Sequence, residues 1–186
     1  EQKVWLGADN GIWYFDVKTN SFVKDNHILS KAGIFTQNVR DIELLPNGLI
    51  AFGLWSDGVY IYNPKTTEGF RILSDLAAKL TGDAIQDLTM LGDSLWIAAR
   101  LSGVYRYDLV LNQLHEIQQQ VPQLSLGALC LAKGPKQSLL ICSGDGLLRY
   151  QPESNEIIHY GTADGLPDSH LLSAFTDPNE RIWVTS

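Results

Sequence analysis

Residues 94–108 read SLWIAARLSGVYRYD, and the chain says nearly the same thing four times. The matching stretches are VWLGADNGIWYFD (4–16), LIAFGLWSDGVYIYN (49–63) and LLICSGDGLLRYQ (139–151), and RIWVTS (181–186) opens the phrase again. Anchoring on Gly11, Gly58, Gly103 and Gly146 gives spacings of 47, 45 and 43 residues. An aliphatic residue follows each glycine, and an aromatic stands four places on: Phe15, Tyr62, Tyr107 and Tyr150. The next position holds Asp16, Asn63, Asp108 or Gln151, and the ninth holds Asn20, Thr67, Asn112 or Asn155. A fixed period of this length marks a repeat architecture.

The unit follows from its local chemistry. GVYRYD alternates and is rich in Val and Tyr, so it reads as a strand. A polar turn and a second strand follow it (Phe22–Val23, Phe70–Ile72, Glu156–Ile158). Two more precede it, as in Leu95–Ile97 and IQDLTML, with turn signals such as Pro46–Asn47–Gly48 between them. Four short antiparallel strands per period make one blade of a β-propeller. The expected class is therefore all-β: roughly four blades, 1–36 (partial), 37–82, 83–124 and 125–168, with 169–186 starting another. The aromatics two and four places after each glycine share one strand face and are expected to fill the wedge between blades. One departure is expected: Leu73, Leu76, Ala77 and Leu80 fall at helical spacing.

The bulk numbers narrow the function. Of 186 residues, 45% are hydrophobic and 19% charged, which is globular. The net charge of −7 argues against a nucleic-acid partner, which needs a basic face. No apolar run approaches the roughly 20 residues that span a bilayer, so no direct membrane contact is expected in this segment. The chain opens on Glu1 without a signal segment and reads as a piece of a longer protein. Cys130 and Cys142 fall opposite each other if GALCLAK pairs with SLLICS. Cross-strand Cβ spacing exceeds that of a relaxed disulfide, so two buried thiols are expected.

Residues 159–186, HYGTADGLPDSHLLSAFTDPNERIWVTS, resemble the two-component-regulator propeller repeat: Asp164, Gly165, Leu166, Pro167, Asp177, Trp183 and Thr185 match its pattern. The stretches VWLGADNGIWYFD and LWIAARLSGVYRYD are similar to its following segment. The chain departs at Glu180, where the pattern has glycine, and at Phe52 or Ala51 and Leu140, where it has Trp. The resemblance implies the periplasmic, extracytoplasmic part of an inner-membrane sensor, whose output is a histidine kinase, hybrid kinase-regulator or diguanylate cyclase. It also implies that this chain is about half of a seven-bladed propeller. Such a half-ring leaves open blade edges, through which a homodimer is expected when the segment is isolated.

No catalytic motif is present: no His-Glu-x-x-His, Gly-x-Ser-x-Gly, P-loop lysine or Cys-x-x-Cys. No enzyme activity, cofactor or metal is expected of the segment. His115 and His159 fall on outer strands. Asp41 and Asp87 occupy one position of successive inner strands and are expected to line the central channel. They read as polar lining or, less favoured, as paired carboxylates for a cation or for acid–base work. That second reading would make a propeller lyase or glycosidase. Loops converging on the axis carry Gln37, Asn38, Arg40, Trp55, Arg100 and His170. Trp55 and Arg100 suit a sugar ring or an anionic group; alternatively Trp55 caps the core and Arg100 pairs with an Asp. The function expected first is sensing of a small molecule or carbohydrate. A purely protein-binding scaffold is the remaining alternative.

Overall fold

The computed structural model describes residues 3–25, 27–34, 38–72, 80, 82–119, 121–125 and 127–186. The chain divides into two compact units, 1–85 and 86–186. Described residues form five antiparallel sheets, denoted A to E in chain order. No helix among them is long and apolar enough to cross a membrane. The helical spacing at 73–80 lies outside the described residues except for Leu80, which is buried.

The first unit holds sheets A and B. Sheet A runs β1 (Lys3–Ala8), β2 (Gly11–Asp16) and β3 (Ser21–Asp25); sheet B runs β4 (Val39–Leu44), β5 (Ile50–Leu54), β6 (Val59–Asn63) and β7 (Glu68–Arg71). A helical turn that the sequence reading missed, α1 (Ile28–Lys31), joins them. One Asp25 carboxylate oxygen accepts the His27 and Ile28 N–H groups, and Gly33 closes the turn at φ 68°. This buries Ile28, Leu29 and Ile34 against Phe52, Tyr60 and Tyr62.

The second unit holds sheets C, D and E. Sheet C comprises β8 (Ile85–Leu91), β9 (Ser94–Ala99), β10 (Gly103–Asp108) and β11 (Gln113–Glu116). Sheet D comprises β12 (Cys130–Lys133), β13 (Leu139–Ser143), β14 (Gly146–Gln151) and β15 (Glu156–Tyr160). Sheet E pairs β16 (Ser173–Thr176) with β17 (Ile182–Thr185). His115 and His159 lie on β11 and β15, the outer strands.

The repeated offsets now have causes. Asp16, Asn63 and Asp108 each accept backbone N–H groups two and three residues on, turning the chain after the third strand of a blade. Asn20, Thr67, Asn112 and Asn155 all adopt left-handed backbone at φ 50–61°. In sheets C and D the asparagine also accepts the hydroxyl of the aromatic five residues earlier, Tyr107 to Asn112 and Tyr150 to Asn155. The Gly146 backbone (φ 118°) passes so close to the Tyr160 carbonyl that a Cβ would sit 2.3 Å from its oxygen.

Register assigns each sheet two working faces. On sheet B, Ile50 pairs with Tyr62 and Phe52 with Tyr60, and this face meets Trp5 of sheet A, whose ring lies 6.2 Å from Phe52 and 6.1 Å from Tyr62. On sheet D, Leu139 pairs with Tyr150 and Ile141 with Leu148, and this face meets Trp96 of sheet C, 5.8 Å from Tyr150. The aromatic stripe is core in sheets B, C and D, where Tyr60, Tyr62, Tyr105, Tyr107 and Tyr150 are buried, whereas Trp13 and Phe15 of sheet A are half-buried.

The expectation of free thiols is overturned. Cys130 and Cys142 are directly paired on β12 and β13 and joined by a disulfide, with Cα atoms 4.9 Å apart. That separation lies inside the range a disulfide spans, because twisted neighbouring strands bring facing Cβ atoms closer than an average pairing distance suggests. The bond sits among Leu140, Leu147 and Leu171, against Ala174, Ile182 and Val184 of sheet E. Leu166 of the DGLP stretch packs there too. Its turn is held by Asp164 accepting the Gly161 N–H and by Gly165 at φ 101°.

Candidate functional site

The site begins with an irregularity in β4. Val39 pairs with Leu54 but Asp41 with Gly53, so Arg40 is the extra residue of a β-bulge. Such bulges re-aim a side chain. Here Arg40 is exposed, and its guanidinium carbon lies 5.1 Å from the centroid of the Trp55 ring. Trp55 follows β5 in a loop closed by Leu54 N–H donating to the Gly58 carbonyl, with Gly58 at φ 72°. The Trp55 N–H donates to the Asn38 carbonyl, which fixes the loop against the start of β4. The ring stays 39% exposed, enough to present a face to a ligand. Asn38 supplies one more feature: its side-chain oxygen is buried and has no hydrogen-bond partner among the described residues. Beside this group Asp57 pairs with Arg71 at 3.6 Å, and the Gly82 N–H donates to the Ser56 carbonyl.

The structure thus brings together three residues singled out in the sequence, Asn38, Arg40 and Trp55. Arg40, from the neighbouring strand, lies over Trp55. Arg100 lies in the second unit, exposed just beyond β9. His170 is exposed in the loop before β16, where its N–H donates to the Asp168 carboxylate. Gln37 lies outside the described residues. Asp41 is half-buried on β4 opposite Gly53. Asp87 is half-buried on β8, and its carboxylate accepts the N–H of Leu88 at 2.9 Å and that of Leu131 on β12 at 2.7 Å. Asp87 therefore ties the inner strands of sheets C and D to each other.

A stacked Trp–Arg pair can take a flat ring on the indole and an anionic oxygen on the guanidinium edge. Towards the far end of β4, Ile42, Leu44, Ile50, Trp5 and Tyr62 line a cleft of about 780 Å³, with Lys3, Asp25 and Lys65 also on its wall. The Lys3 ammonium lies 4.3 Å from the Tyr14 centroid. Burial, and then the Asp25 charge, raise the Tyr62 phenol. Sequence reading missed this cleft because its lining comes from two sheets and no spacing along the chain announces it.

No protein-family model matches the chain. Histidine kinase P4 of Formosa agariphila is 22% identical over 183 residues, covering 94% of this chain and 13% of the kinase. Among solved structures, the extracellular domain of BT4673 from B. thetaiotaomicron, described as a hybrid two component system, superposes with a TM-score of 0.81 at 17% identity; 98% of this chain matches 24% of that one. Virginiamycin B lyase from Staphylococcus aureus superposes with a TM-score of 0.73 at 13% identity, over 98% of this chain and 59% of the lyase. The chain thus spans about an eighth of the curated kinase and about a quarter of the sensor domain. At these identities the solved structures speak to fold alone, and both point the same way. The chain is an all-β propeller segment, and it resembles the propeller repeats of two-component sensors.

Proposed function

We propose that this segment is part of the extracytoplasmic propeller of a membrane-bound signal-transduction sensor, and that Asn38, Arg40 and Trp55 form its ligand contact. The observation that carries the site is the Arg40 guanidinium lying over a partly exposed Trp55 at a bulge, with the Asn38 carbonyl accepting the Trp55 backbone N–H. The resemblance to sensor propellers supports the context, and so does the Cys130–Cys142 disulfide, since such bonds persist in oxidising compartments. The ligand class is a ring bearing an anionic group, such as a sugar acid. Kinase or cyclase chemistry would belong to other parts of the parent protein.

The test is a thermal-shift and NMR titration of the 186-residue chain with glucuronate, cellobiose and succinate. Glucuronate is expected to raise the melting temperature and move the Trp55 indole signal, with affinity falling about tenfold in Trp55→Ala and in Arg40→Gln. A glucuronate response that survives in both variants, or an indole signal that none of the three compounds moves, overturns the assignment.

A further inference from the structure

One row of side chains in the second unit carries basic groups where other blades carry apolar ones. Arg106 on β10 pairs directly with Trp96 on β9 and with His115 on β11, so the three side chains stand abreast on one face of sheet C. Trp96 meets Tyr150 from that face, which makes it the face turned to sheet D. Both sheets carry four strands and both lie in the second unit, so the slot between them is walled on two sides. Three residues after the repeat glycine, where sheet C has Arg106, sheet A has Tyr14, packed on Trp5, and sheet B has Ile61, fully buried. The blade pattern therefore does not require a cation at this position.

Arg106 and His115 are half-buried, and their Nε and Nε2 atoms are buried with no hydrogen-bond partner among the described residues. Buried polar nitrogens are nearly always satisfied, so two orphans side by side point to a partner from outside the chain. The neighbouring groups are otherwise engaged. Glu116, next on β11, lies in register with Tyr105 on the opposite face and accepts the side-chain amides of Gln118 and Gln119. Tyr150 donates its hydroxyl proton to Asn155 at 2.6 Å. Asp108, two residues beyond Arg106 on the same face, uses one carboxylate oxygen to accept the Val110 and Leu111 N–H groups. The Leu111 hydrogen bond first, and then that of Val110 and the Arg106 and His115 charges, hold its carboxyl below the ordinary range against desolvation. One carboxylate thus faces two basic groups.

We propose that Arg106 and His115 form a binding site for a small oxyanion, a carboxylate or phosphate group seated between sheets C and D. The guanidinium edge offers its Nε–H and a second N–H in a fork that matches two oxygens of one anion. The imidazole Nε2–H reaches the same anion from the adjacent strand. A ligand held there is bound by side chains of sheet C while it lies against the Tyr150 face of sheet D. Binding therefore adds a contact between the two blades and stabilises the second unit by mass action. The site differs in kind from the Arg40–Trp55 contact. Its tryptophan, Trp96, is buried, so it recognises the anionic group alone and stacks no ring.

The experiment is an NMR and thermal-shift titration of the 186-residue chain with inorganic phosphate and, separately, with acetate, against sodium chloride of equal ionic strength. The Arg106 Nε–H and His115 ring signals are expected to move saturably with at least one oxyanion and to stay still in chloride. The stronger of the two responses assigns the source as phosphate or carboxylate. Affinity is expected to fall at least about tenfold in Arg106→Gln and about threefold in His115→Gln, with part of it recovered in Arg106→Lys. Circular dichroism checks the sheets in each variant, and where a variant loses them the two local signals of the unsubstituted chain decide. Neither oxyanion moving these signals beyond chloride, or a folded Arg106→Gln variant that binds as the parent does, overturns the proposal.

Discussion

Glu180 shows how one residue reconciles a broken pattern with an intact fold. It stands where the repeat pattern has glycine, and its backbone is left-handed at φ 61°, with its N–H donating to the Asp177 carbonyl. The turn keeps the conformation that the glycine would serve, and a glutamate bears the strain. Left-handed backbone costs a non-glycine residue roughly 1–2 kcal/mol, part of which is returned by the smaller entropy of its unfolded chain. Glu180→Gly is therefore expected to stabilise the protein by about 0.5–1 kcal/mol, read as a higher urea midpoint at unchanged slope. Asp177, in the same turn, has its carboxyl held below the ordinary range. Desolvation pushes it up, but hydrogen bonds from Trp183, from the Arg181 backbone and side chain, and from the Asn179 N–H outweigh that. A depressed carboxyl contributes stability above its unfolded pKa and loses it as pH falls through the folded value. The Trp183 indole N–H resonance should therefore titrate below the range of an ordinary aspartate. A midpoint at or above that range would contradict the hydrogen-bonded turn.

At the scale of the element, the repeat explains itself in strand-turn-strand terms. Asp16, Asn63 and Asp108, five places after three of the glycines, make Asx turns, and the residue at nine adopts left-handed backbone; Thr67, β-branched, is the most strained of the set. These offsets were legible in the sequence because they are local. The disulfide was not, because the outcome turns on how far β12 and β13 twist towards each other. It closes a loop between residues 12 apart and pins the inner strands of sheet D where they pack against sheet E. Substituting both cysteines by alanine should cost about 2–4 kcal/mol of stability. Chemical denaturation of the oxidised chain and of the double variant would show it, and equal midpoints would mean that the thiols are not bridged in solution.

Across the whole molecule, a propeller distributes its core among blade-to-blade contacts, so no blade buries both faces alone. Tryptophans on second strands meet tyrosines on third strands, Trp5 with Tyr62 and Trp96 with Tyr150. The proposed ligand contact lies instead where a bulge and a loop meet. The bulge at Arg40 and the loop at Trp55 lie on adjacent strands of sheet B, which is why two residues fifteen apart in sequence stack on each other.

The sequence by itself determined the all-β class, the repeat period, the order of strands and turns and most of the aromatic core, since each is written in local alternation and turn chemistry. It also marked Asn38, Arg40 and Trp55 as loop residues of interest. Only the tertiary structure decided that Arg40 lies over Trp55, because a one-residue bulge changes where a side chain points without changing the pattern around it. It likewise showed that the Asp87 carboxylate accepts the Leu131 N–H and so ties two inner strands. Register and strand twist set which groups across a sheet come within bonding distance, and neither can be read from one strand alone.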